Sequence, residues 1–195
     1  MRSDSPALAP TFRSRTQGDL LALVLLHPEQ EWTVSDLARR LEAPLTTVQS
    51  EVSRLALADL LTTRRLGRSR LVRANLASPA VAPLTQLTLV TFGPHVVIAE
   101  EFHQLKAAHV IVFGSWAARY HGDPGPSPAD IDVLVVDDHV SRADIYQAAE
   151  RSEARLGLPV NPVLRPESSW ADPGADPLLS EIRVRPFLEV TRAAT

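Results

Sequence analysis

The sequence predicts an α+β protein built from two small modules. In the first part of the chain, apolar residues recur every three or four positions, which is the spacing of one helix face. In the second part, short apolar runs of strand length alternate with stretches of helical pattern. Charge separates the two parts as well, because residues 1–75 sum to +3 and residues 76–195 sum to −6 within the net −3. The two modules are therefore expected to have different partners.

Composition limits the class of protein. The chain has 195 residues, of which 45% are hydrophobic, so it can bury a substantial core. It contains no cysteine, which excludes disulfides and thiolate metal sites. No apolar run approaches the ~20 residues of a membrane span, and the first residues lack the apolar core of a signal peptide. These observations predict a cytoplasmic protein without membrane association, preceded by a disordered tail over residues 1–15.

Residues 16–76 are predicted to form the first domain, which opens with two helices. Leu20, Leu21, Val24 and Leu25 give the first helix its apolar stripe. The second helix follows Thr33, which together with Asp36 fits a capping box with Asp in place of Glu. The segment Glu42-Ala43-Pro44 should end this second helix.

The third helix is predicted to run from about Leu45 to Asp59 and to present a polar surface. Its apolar face comprises Leu45, Val48, Val52 and Leu55. The other face carries short polar side chains and one arginine, a set suited to base edges and phosphates in a major groove. These candidate DNA-binding residues are Thr46, Thr47, Gln49, Ser50, Ser53 and Arg54.

A basic hairpin is predicted next, with two strands meeting around Leu66-Gly67-Arg68-Ser69. Residues 61–73 contain five arginines and no acid, which favours contact with a phosphate backbone. These arginines are Arg64, Arg65, Arg68, Arg70 and Arg73. The alternative is a solvated edge hairpin whose charges discourage aggregation.

The motif TVSDLARRLEAPLTTVQSEVSRLALADLL, with the hairpin after it, resembles a winged helix-turn-helix domain. Bacterial arsenic-repressor and multiple-antibiotic-resistance regulators contain domains of this kind. The resemblance implies a transcriptional regulator that binds double-stranded DNA. In related regulators, helices flanking the winged domain often form the dimer.

A helical connector is predicted over residues 77–105. Val81, Leu84, Leu87 and Val90 give it an apolar stripe, and Gly93-Pro94 should restart a second helix. The stripe could serve a homodimer, or it could pack between the two domains.

Residues 106–195 are predicted to form the second domain, whose most informative segment is HVIVFGSWAARYHGDPGPSPADIDVLVVDD. Gly114 would let the backbone approach a phosphate closely, and Ser115 could hydrogen-bond a phosphate oxygen at the start of a helix. Asp130 and Asp132 lie two apart on a predicted strand, so their carboxylates should share one face and suit Mg²⁺. Singly, these features are also typical of an ordinary turn and a solvated strand end.

The order strand, Gly-Ser, helix, polar loop and Asp-Ile-Asp resembles the signature of the DNA polymerase beta superfamily, specifically its minimal nucleotidyltransferases. The resemblance covers roughly residues 95–190. It implies a small mixed sheet in which Gly114 and Ser115 hold a nucleoside triphosphate. It also implies that the catalytic Asp130 and Asp132 hold Mg²⁺ or Mn²⁺.

One departure from that family concerns its third carboxylate. The corresponding position is Asn161, in the run LGLPVNPVLR, and an amide cannot act as a general base. Either Glu167 or another acid substitutes, or the domain binds nucleotide with little or no transfer.

Two function classes follow from the sequence. The first is a DNA-binding, antitoxin-like regulator whose second domain binds Mg-nucleotide, with a toxin or other protein as a further partner. The second is an active enzyme that transfers a nucleoside monophosphate to a protein, a small molecule or a nucleic acid.

Overall fold

The structure is a computed structural model that describes residues 8–174 and 176–190. It confirms the predicted α+β class, with an antiparallel sheet of three strands and a mixed sheet of four. The chain divides into two compact units between Gly93 and Pro94. Each unit contains one of the two sheets.

The first unit begins with a turn of 3-10 helix at Ala9–Thr11. Its α-helices and strands, in chain order, are α1 (Arg15–Leu25), β1 (Trp32–Thr33), α2 (Val34–Arg40), α3 (Leu45–Leu57), β2 (Leu61–Leu66), β3 (Ser69–Ala74) and α4 (Val81–Phe92). The strands pair antiparallel in the order β1-β3-β2, and β2 and β3 form the expected hairpin.

The helix boundaries follow from local chemistry. The Ser14 hydroxyl accepts a hydrogen bond from the Gln17 N–H and caps α1. The Thr33 hydroxyl accepts the Asp36 N–H at 3.0 Å and donates to the Asp36 carboxylate at 2.7 Å, so the predicted cap of α2 is present. The left-handed backbone of Glu42, with φ of 48°, then ends α2 before Pro44.

An apolar core formed by helices and strands holds the first unit together. Its members come from the stripes predicted for the first and third helices, from α2 and from the sheet. They include Leu20, Val24, Leu37, Val48 and Val52. The helical spacing in the sequence therefore identified most of the apolar side chains that α1 and α3 bury.

The ends of α3 differ from the prediction. The helix stops at Leu57, because Asp59 adopts a left-handed conformation with φ of 58°. Leu45 was predicted to be buried but is 44% exposed. It occupies the first helical position after Pro44, one turn before the buried part of the apolar stripe begins at Val48.

Two boundaries of the predicted domains also differ. Residues 1–7 of the predicted disordered tail lie outside the described residues, but residues 8–15 contain the 3-10 turn and the start of α1. Phe12 is ordered by an edge-to-face contact with Phe92, at 4.9 Å between ring centroids. The predicted connector over 77–105 is divided, because α4 belongs to the first unit and the helix after Gly93 to the second.

A helix-interior glycine makes the packing of α4 on α1 feasible. A Cβ atom at Gly18 would overlap the ring of Phe92. Glycine inside a helix normally lowers stability because of its backbone freedom. At position 18 this loss is offset by the close contact with Phe92 that only glycine allows.

The second unit consists of helices around the four-stranded sheet. In chain order it contains α5 (Pro94–Phe102), a 3-10 turn (His103–Leu105), β4 (His109–Phe113), α6 (Gly114–Tyr120), β5 (Ile131–Val136), α7 (Arg142–Leu156), β6 (Val160–Arg165), α8 (Glu167–Ala171), α9 (Pro177–Val184) and β7 (Leu188–Glu189). Residues 175 and 191–195 of the predicted domain lie outside the described residues.

The order of the strands in this sheet is β6-β5-β4-β7. Strand β5 pairs antiparallel with β4 and parallel with β6, so α7 is the crossover that a parallel pair requires. One apolar cluster joins β4 and β5 to α9 through Ile111, Leu134 and Leu179. Because side chains alternate along a strand, Asp132 points to the same face as Leu134, at the end where the apolar cluster stops.

The stretch Val81–Leu105 contains an 18-residue window with a mean hydropathy of 1.4, so by length and composition alone it could cross a membrane. It is interrupted at Gly93, whose extended backbone separates α4 from α5. Neither helix alone has the ~20 residues that a span needs. Both pack within their own units, α4 on α1 and α5 on α7.

We expect Gly18→Ala to lower the free energy of unfolding by about 1–2 kcal/mol, because overpacking costs about 1–3 kcal/mol and helix propensity returns at most about 1. Chemical denaturation of the full chain would measure this. Phe92→Leu is the matched partner, since it removes the ring that the new methyl group meets. In the Phe92→Leu background, Gly18→Ala should be neutral or stabilising; an equal loss in both backgrounds would contradict this account.

Candidate functional site

The polar face predicted for the third helix is exposed on α3. All six candidate side chains lie on the surface, whereas Val48, Val52 and Leu55 are buried. The exposed residues are Thr46, Thr47, Gln49, Ser50, Ser53 and Arg54. This arrangement places their hydroxyl, amide and guanidinium groups on the outer face of the helix.

The five hairpin arginines divide between the two faces of the hairpin. Arg65 lies directly opposite Arg70, and cross-strand partners share a face. Arg64 is one position from Arg65, and Arg73 is three positions from Arg70. Because side chains alternate along a strand, Arg64 and Arg73 belong to the other face. Arg68 lies in the two-residue turn between the strands. The five charges predicted as one patch therefore form two groups.

One hydrogen bond connects the hairpin to α3. The Arg70 guanidinium donates to the Ser53 hydroxyl at 2.9 Å. Arg70 thereby places its own face of the hairpin, which includes Arg65, next to the polar face of α3. The structure brings part of these two sequence-predicted groups together into one surface, here called the α3–hairpin surface: the six α3 residues with Arg65 and Arg70. Arg68 lies beyond it in the turn.

Arg64 is held by a carboxylate that the sequence analysis did not identify. Glu31, just before β1, accepts two hydrogen bonds from the Arg64 guanidinium, one of them from Nε at 2.9 Å. This contact holds the pKa of Glu31 below its usual value. The pairing neutralises Arg64 and weakens the prediction that this side chain contacts phosphate. The hairpin itself contains no acid. Glu31 comes next to the hairpin because β1 pairs with β3.

A second unpredicted carboxylate lies within α3 itself. Glu51 is only 2% exposed and accepts hydrogen bonds from Arg13 and from Arg54, the latter at 3.4 Å. Its position next to Val48 and Val52 on the helical wheel was the available signal that this residue faces inward. Arg54 is therefore partly engaged within the unit. In the described ranges of the chain, neither Arg65 nor Arg68 forms an ion pair.

The second candidate site lies at the end of the mixed sheet, where β4 and β5 pair. Phe113 lies opposite Asp132, and the next residue, Gly114, turns the chain into α6 with φ of 71°. A Cβ atom at Gly114 would lie 2.6 Å from Asp132 Oδ2, so only glycine fits both the backbone conformation and the space. The sequence-predicted Gly114 and Asp132 are thus direct neighbours. Ser115 is exposed at the start of α6.

Asn161 completes this site from the other neighbouring strand. The parallel register of β5 and β6 pairs Asp132 with Asn161. The Asn161 amide nitrogen lies 3.0 Å from Asp130 Oδ2 and 3.5 Å from Asp132 Oδ1. Asp130 precedes β5 rather than belonging to it, but the amide still brings both predicted carboxylates around one point.

The orientation of this amide has a clear electrostatic reason. With the nitrogen inward, Asn161 donates to two acceptors; with its oxygen inward, three oxygens would face one another without a proton or a cation between them. Burial raises the pKa of Asp132, and the neighbouring Asp130 raises it further, while the hydrogen bond from Asn161 acts in the opposite direction. The amide group therefore stabilises a carboxylate pair that would otherwise repel.

The donor set around this point fits a divalent cation only in part. Two carboxylates and one amide oxygen are hard ligands that Mg²⁺ accepts, provided that the amide turns its oxygen inward. Over residues 8–174 and 176–190, no group of three acids, histidines or cysteines is placed to hold a metal ion. The arrangement supplies fewer negative charges than a site built from protein carboxylates alone.

Glu167 cannot supply the missing carboxylate. It lies at the start of α8, beyond the last residue of β6, whereas Asn161 is the second residue of that strand. From Asn161 to the end of β6 at Arg165 the strand already spans about 13 Å at ~3.3 Å per residue. The Glu167 N–H donates to the Asp138 carboxylate, which follows the other end of β5 from Asp132. The suggestion that Glu167 substitutes for the third acid is therefore wrong for the described geometry.

Comparisons with protein-family models, with curated proteins and with solved structures find no match to this chain.

We expect Asp132→Asn to stabilise the free protein at about pH 7, with a gain that shrinks toward about pH 4. A raised pKa in the folded state means that folding disfavours the charged form of Asp132. Protonated Asp132 therefore stabilises the fold below its unfolded pKa, near 3.8. This stabilisation is lost as pH rises through the raised folded pKa, so the charged wild type gains most from Asp132→Asn near pH 7.

Thermal unfolding of the full chain across this pH range would test the prediction. Asp123→Asn is the matched control, because Asp123 is an exposed carboxylate in the same unit. A gain for Asp132→Asn that does not depend on pH would contradict the electrostatic explanation.

Proposed function

We propose that this protein is a DNA-binding transcriptional regulator of the winged helix-turn-helix kind whose second unit binds a magnesium–nucleotide complex. The observation that carries the proposal is the hydrogen bond from Arg70 to Ser53, which joins the basic hairpin to the polar face of α3. One surface then offers short polar groups for base edges together with cations for phosphates.

In this proposal, α3 enters the major groove and the hairpin lies along the adjacent backbone. Thr46, Thr47, Gln49 and Ser50 lie in the first two turns of α3, the part of a recognition helix that contacts base edges. Gln49 can pair with adenine through both groups of its amide. Arg65 and Arg68, which have no carboxylate partner in the described part of the chain, supply the phosphate contacts.

Dimerisation, location and partners belong to the same proposal. Helix-turn-helix proteins commonly read two half-sites about one helical turn apart, so the proposed regulator is a homodimer. Its proposed location is the cytoplasm, where both DNA and nucleotides are present. An antitoxin-like role adds a toxin or another protein as partner. Light scattering at high protein concentration, with and without duplex DNA, would test the dimer.

At the nucleotide site, Gly114 lets the chain turn into α6 directly beside the Asp132 carboxylate, and the exposed Ser115 hydroxyl can donate to a phosphate oxygen. Asp130 and Asp132 would hold Mg²⁺, and Asn161 would present its amide oxygen after rotating its side-chain amide. Bound Mg²⁺ would neutralise phosphate charge. The missing third carboxylate removes both a negative charge and a general base, so the site favours binding of nucleotide over transfer.

The alternative is an active nucleotidyltransferase, which the facing carboxylates of Asp130 and Asp132 favour. Incubation with each α-labelled nucleoside triphosphate and Mg²⁺ or Mn²⁺, alone and with cell lysate, separates the two. Binding without label transfer supports the regulator, and transfer of label supports the enzyme.

We expect removal of Arg65 and Arg68 together to lower the magnitude of the slope of log K against log salt by about 2, because each lost phosphate contact removes about 0.9. Arg64→Ala is the matched control: it deletes a hairpin arginine that Glu31 neutralises, so the slope should hardly change. Titration of duplex DNA at several salt concentrations measures both. Equal effects of the two substitutions would contradict the division of the hairpin charges.

We expect Asn161→Asp to bind Mn²⁺ at least about tenfold more tightly than the wild type, because it adds a charged ligand and removes an inward-facing N–H. Asn161→Ala is the control, since it removes the N–H without adding charge. Asp132→Ala should abolish metal-dependent nucleotide binding and leave DNA affinity unchanged. Calorimetry finding no binding of nucleotide with Mg²⁺ or Mn²⁺, in either the wild type or Asn161→Asp, would refute the nucleotide site.

A further inference from the structure

A cleft of about 540 Å³ lies in the second unit, at the end of β5 opposite the Asp132 site. Its lining residues come from the 3-10 turn before β4, the loop after β5 and the first three turns of α7. Asp137 directly follows β5 and is five positions from Asp132, or about 16 Å along an extended strand. The cleft is therefore separate from the candidate nucleotide site.

The carboxylate of Asp137 fixes the walls of this cleft. It accepts the backbone N–H groups of His139 and Val140, each at 2.7 Å, and that of Ala108 at 3.2 Å. Burial acts to raise the pKa of Asp137, but these N–H groups lower it, and the pKa lies below its usual value. The bonds join the loop after β5 to the start of β4. The cleft is thus formed without a ligand, and its buried carboxylate already has hydrogen-bond donors.

Two further charged residues of the cleft are engaged within the unit. Arg151 donates a hydrogen bond to the Glu101 carboxylate at 2.8 Å. Asp144 and Ser141 cap α7 together, because the Ser141 hydroxyl donates to the Asp144 carboxylate at 2.7 Å and accepts the Asp144 N–H at 3.1 Å. These side chains shape the cleft and have their own partners.

Lys106 and His139 differ from those residues. Neither side chain forms a hydrogen bond or an ion pair with any described residue, and the same holds for the amides of Gln104 and Gln147. Lys106 is the only lysine of the chain. Its backbone ends the 3-10 turn in a left-handed conformation with φ of 53°, and its N–H donates to the His103 carbonyl at 3.2 Å. The cleft therefore offers a fixed cation, an imidazole and two amides to a ligand.

We propose that this cleft binds a small hydrophilic organic anion, with its carboxylate or phosphate group on Lys106 and His139 and its hydroxyl groups on the two glutamine amides. Hydrogen bonds from a cation to an oxyanion are stronger than neutral ones. The cleft has the size of small-molecule sites, which occupy about 300–1,000 Å³. Its apolar lining residues are Leu105 and Val140, too few to hold an apolar ligand. The inference goes beyond the proposed function and requires neither DNA nor nucleotide binding.

The single lysine makes a site-specific test possible. The full chain is acetylated in the presence of EDTA, which removes the divalent cations that the nucleotide site needs, and mass spectrometry follows the modification of Lys106. The probes are ribose 5-phosphate and gluconate, with uncharged ribose and inorganic phosphate as controls. We expect an organic anion at about ten times its Kd to slow the acetylation about tenfold, because only about a tenth of the chains then remain free. Ribose and inorganic phosphate should have little effect.

Calorimetry of variants with the protecting anion tests the assigned residues. Lys106→Gln should weaken binding at least about tenfold, and Lys106→Arg should retain most of the affinity, because it keeps the charge. His139→Gln should weaken binding by a smaller factor. Arg142→Gln is the matched control, since Arg142 is an exposed cation at the start of α7 that lines a different groove with Tyr146 and Pro162. Melting temperatures of all four variants should match the wild type.

The outcomes distinguish this cleft from the nucleotide site. Protection by ribose 5-phosphate alone assigns a phosphate ligand, and protection by gluconate alone assigns a carboxylate ligand; both support the cleft. Binding that survives Asp132→Ala supports it as well, even if the nucleotide site fails its own test. The cleft is overturned if neither organic anion protects Lys106, or if ribose or inorganic phosphate protects it equally well. Loss of binding in Asp132→Ala but not in Lys106→Gln would also overturn it.

Discussion

The register of β5 against its two neighbours determines the arrangement of the second unit's candidate site. Pairing with β4 places Asp132 beside Phe113, and pairing with β6 places it beside Asn161. A slip of one residue in either pairing would turn Asp132 to the opposite face of the sheet. The apolar cluster of Ile111, Leu134 and Leu179 opposes such a slip, because the slip would turn Leu134 out of this cluster as well. The polar site is therefore held by the apolar residues of the same face.

Electrostatics at that site explains why an amide between two carboxylates is structurally consistent. Asp130 and Asp132 face one point, and two carboxylates there need either a cation or a hydrogen-bond donor between them. Asn161 provides the donor in the free protein. The same residue can provide an oxygen ligand after rotation of its amide, so one side chain serves both situations. A third carboxylate would instead add repulsion that only a metal ion relieves.

The first unit illustrates a related principle, that the folded chain decides which charges are available to a ligand. Arg54 forms an ion pair with Glu51, and Arg64 forms one with Glu31. Arg70 instead donates a hydrogen bond to the Ser53 hydroxyl. Arg65 and Arg68 form no ion pair with any described residue. The basic surface is accordingly smaller and more directional than the arginine count suggests.

The sequence by itself determined the elements of this protein and the residues that form its candidate sites. Helical spacing located the stripes of α1, α2 and α3, and Gly67 and Gly114 marked turns that require a left-handed backbone. These features depend on neighbours in the chain, which periodicity and turn chemistry describe well. Asn161 was singled out by the resemblance to the nucleotidyltransferase signature, and the sheet pairs it with Asp132.

Only the tertiary structure decided which distant side chains meet. The carboxylate of Glu31 reaches Arg64, 33 residues along the chain, and that of Glu51 reaches Arg13, because sheet pairing and helix packing bring these segments together. Likewise, the close contact of Gly18 with Phe92 assigns α4 to the first unit, and the length of β6 keeps Glu167 away from Asp132. Such contacts join residues far apart in sequence, and no local pattern of hydrophobicity, charge or turn residues records them.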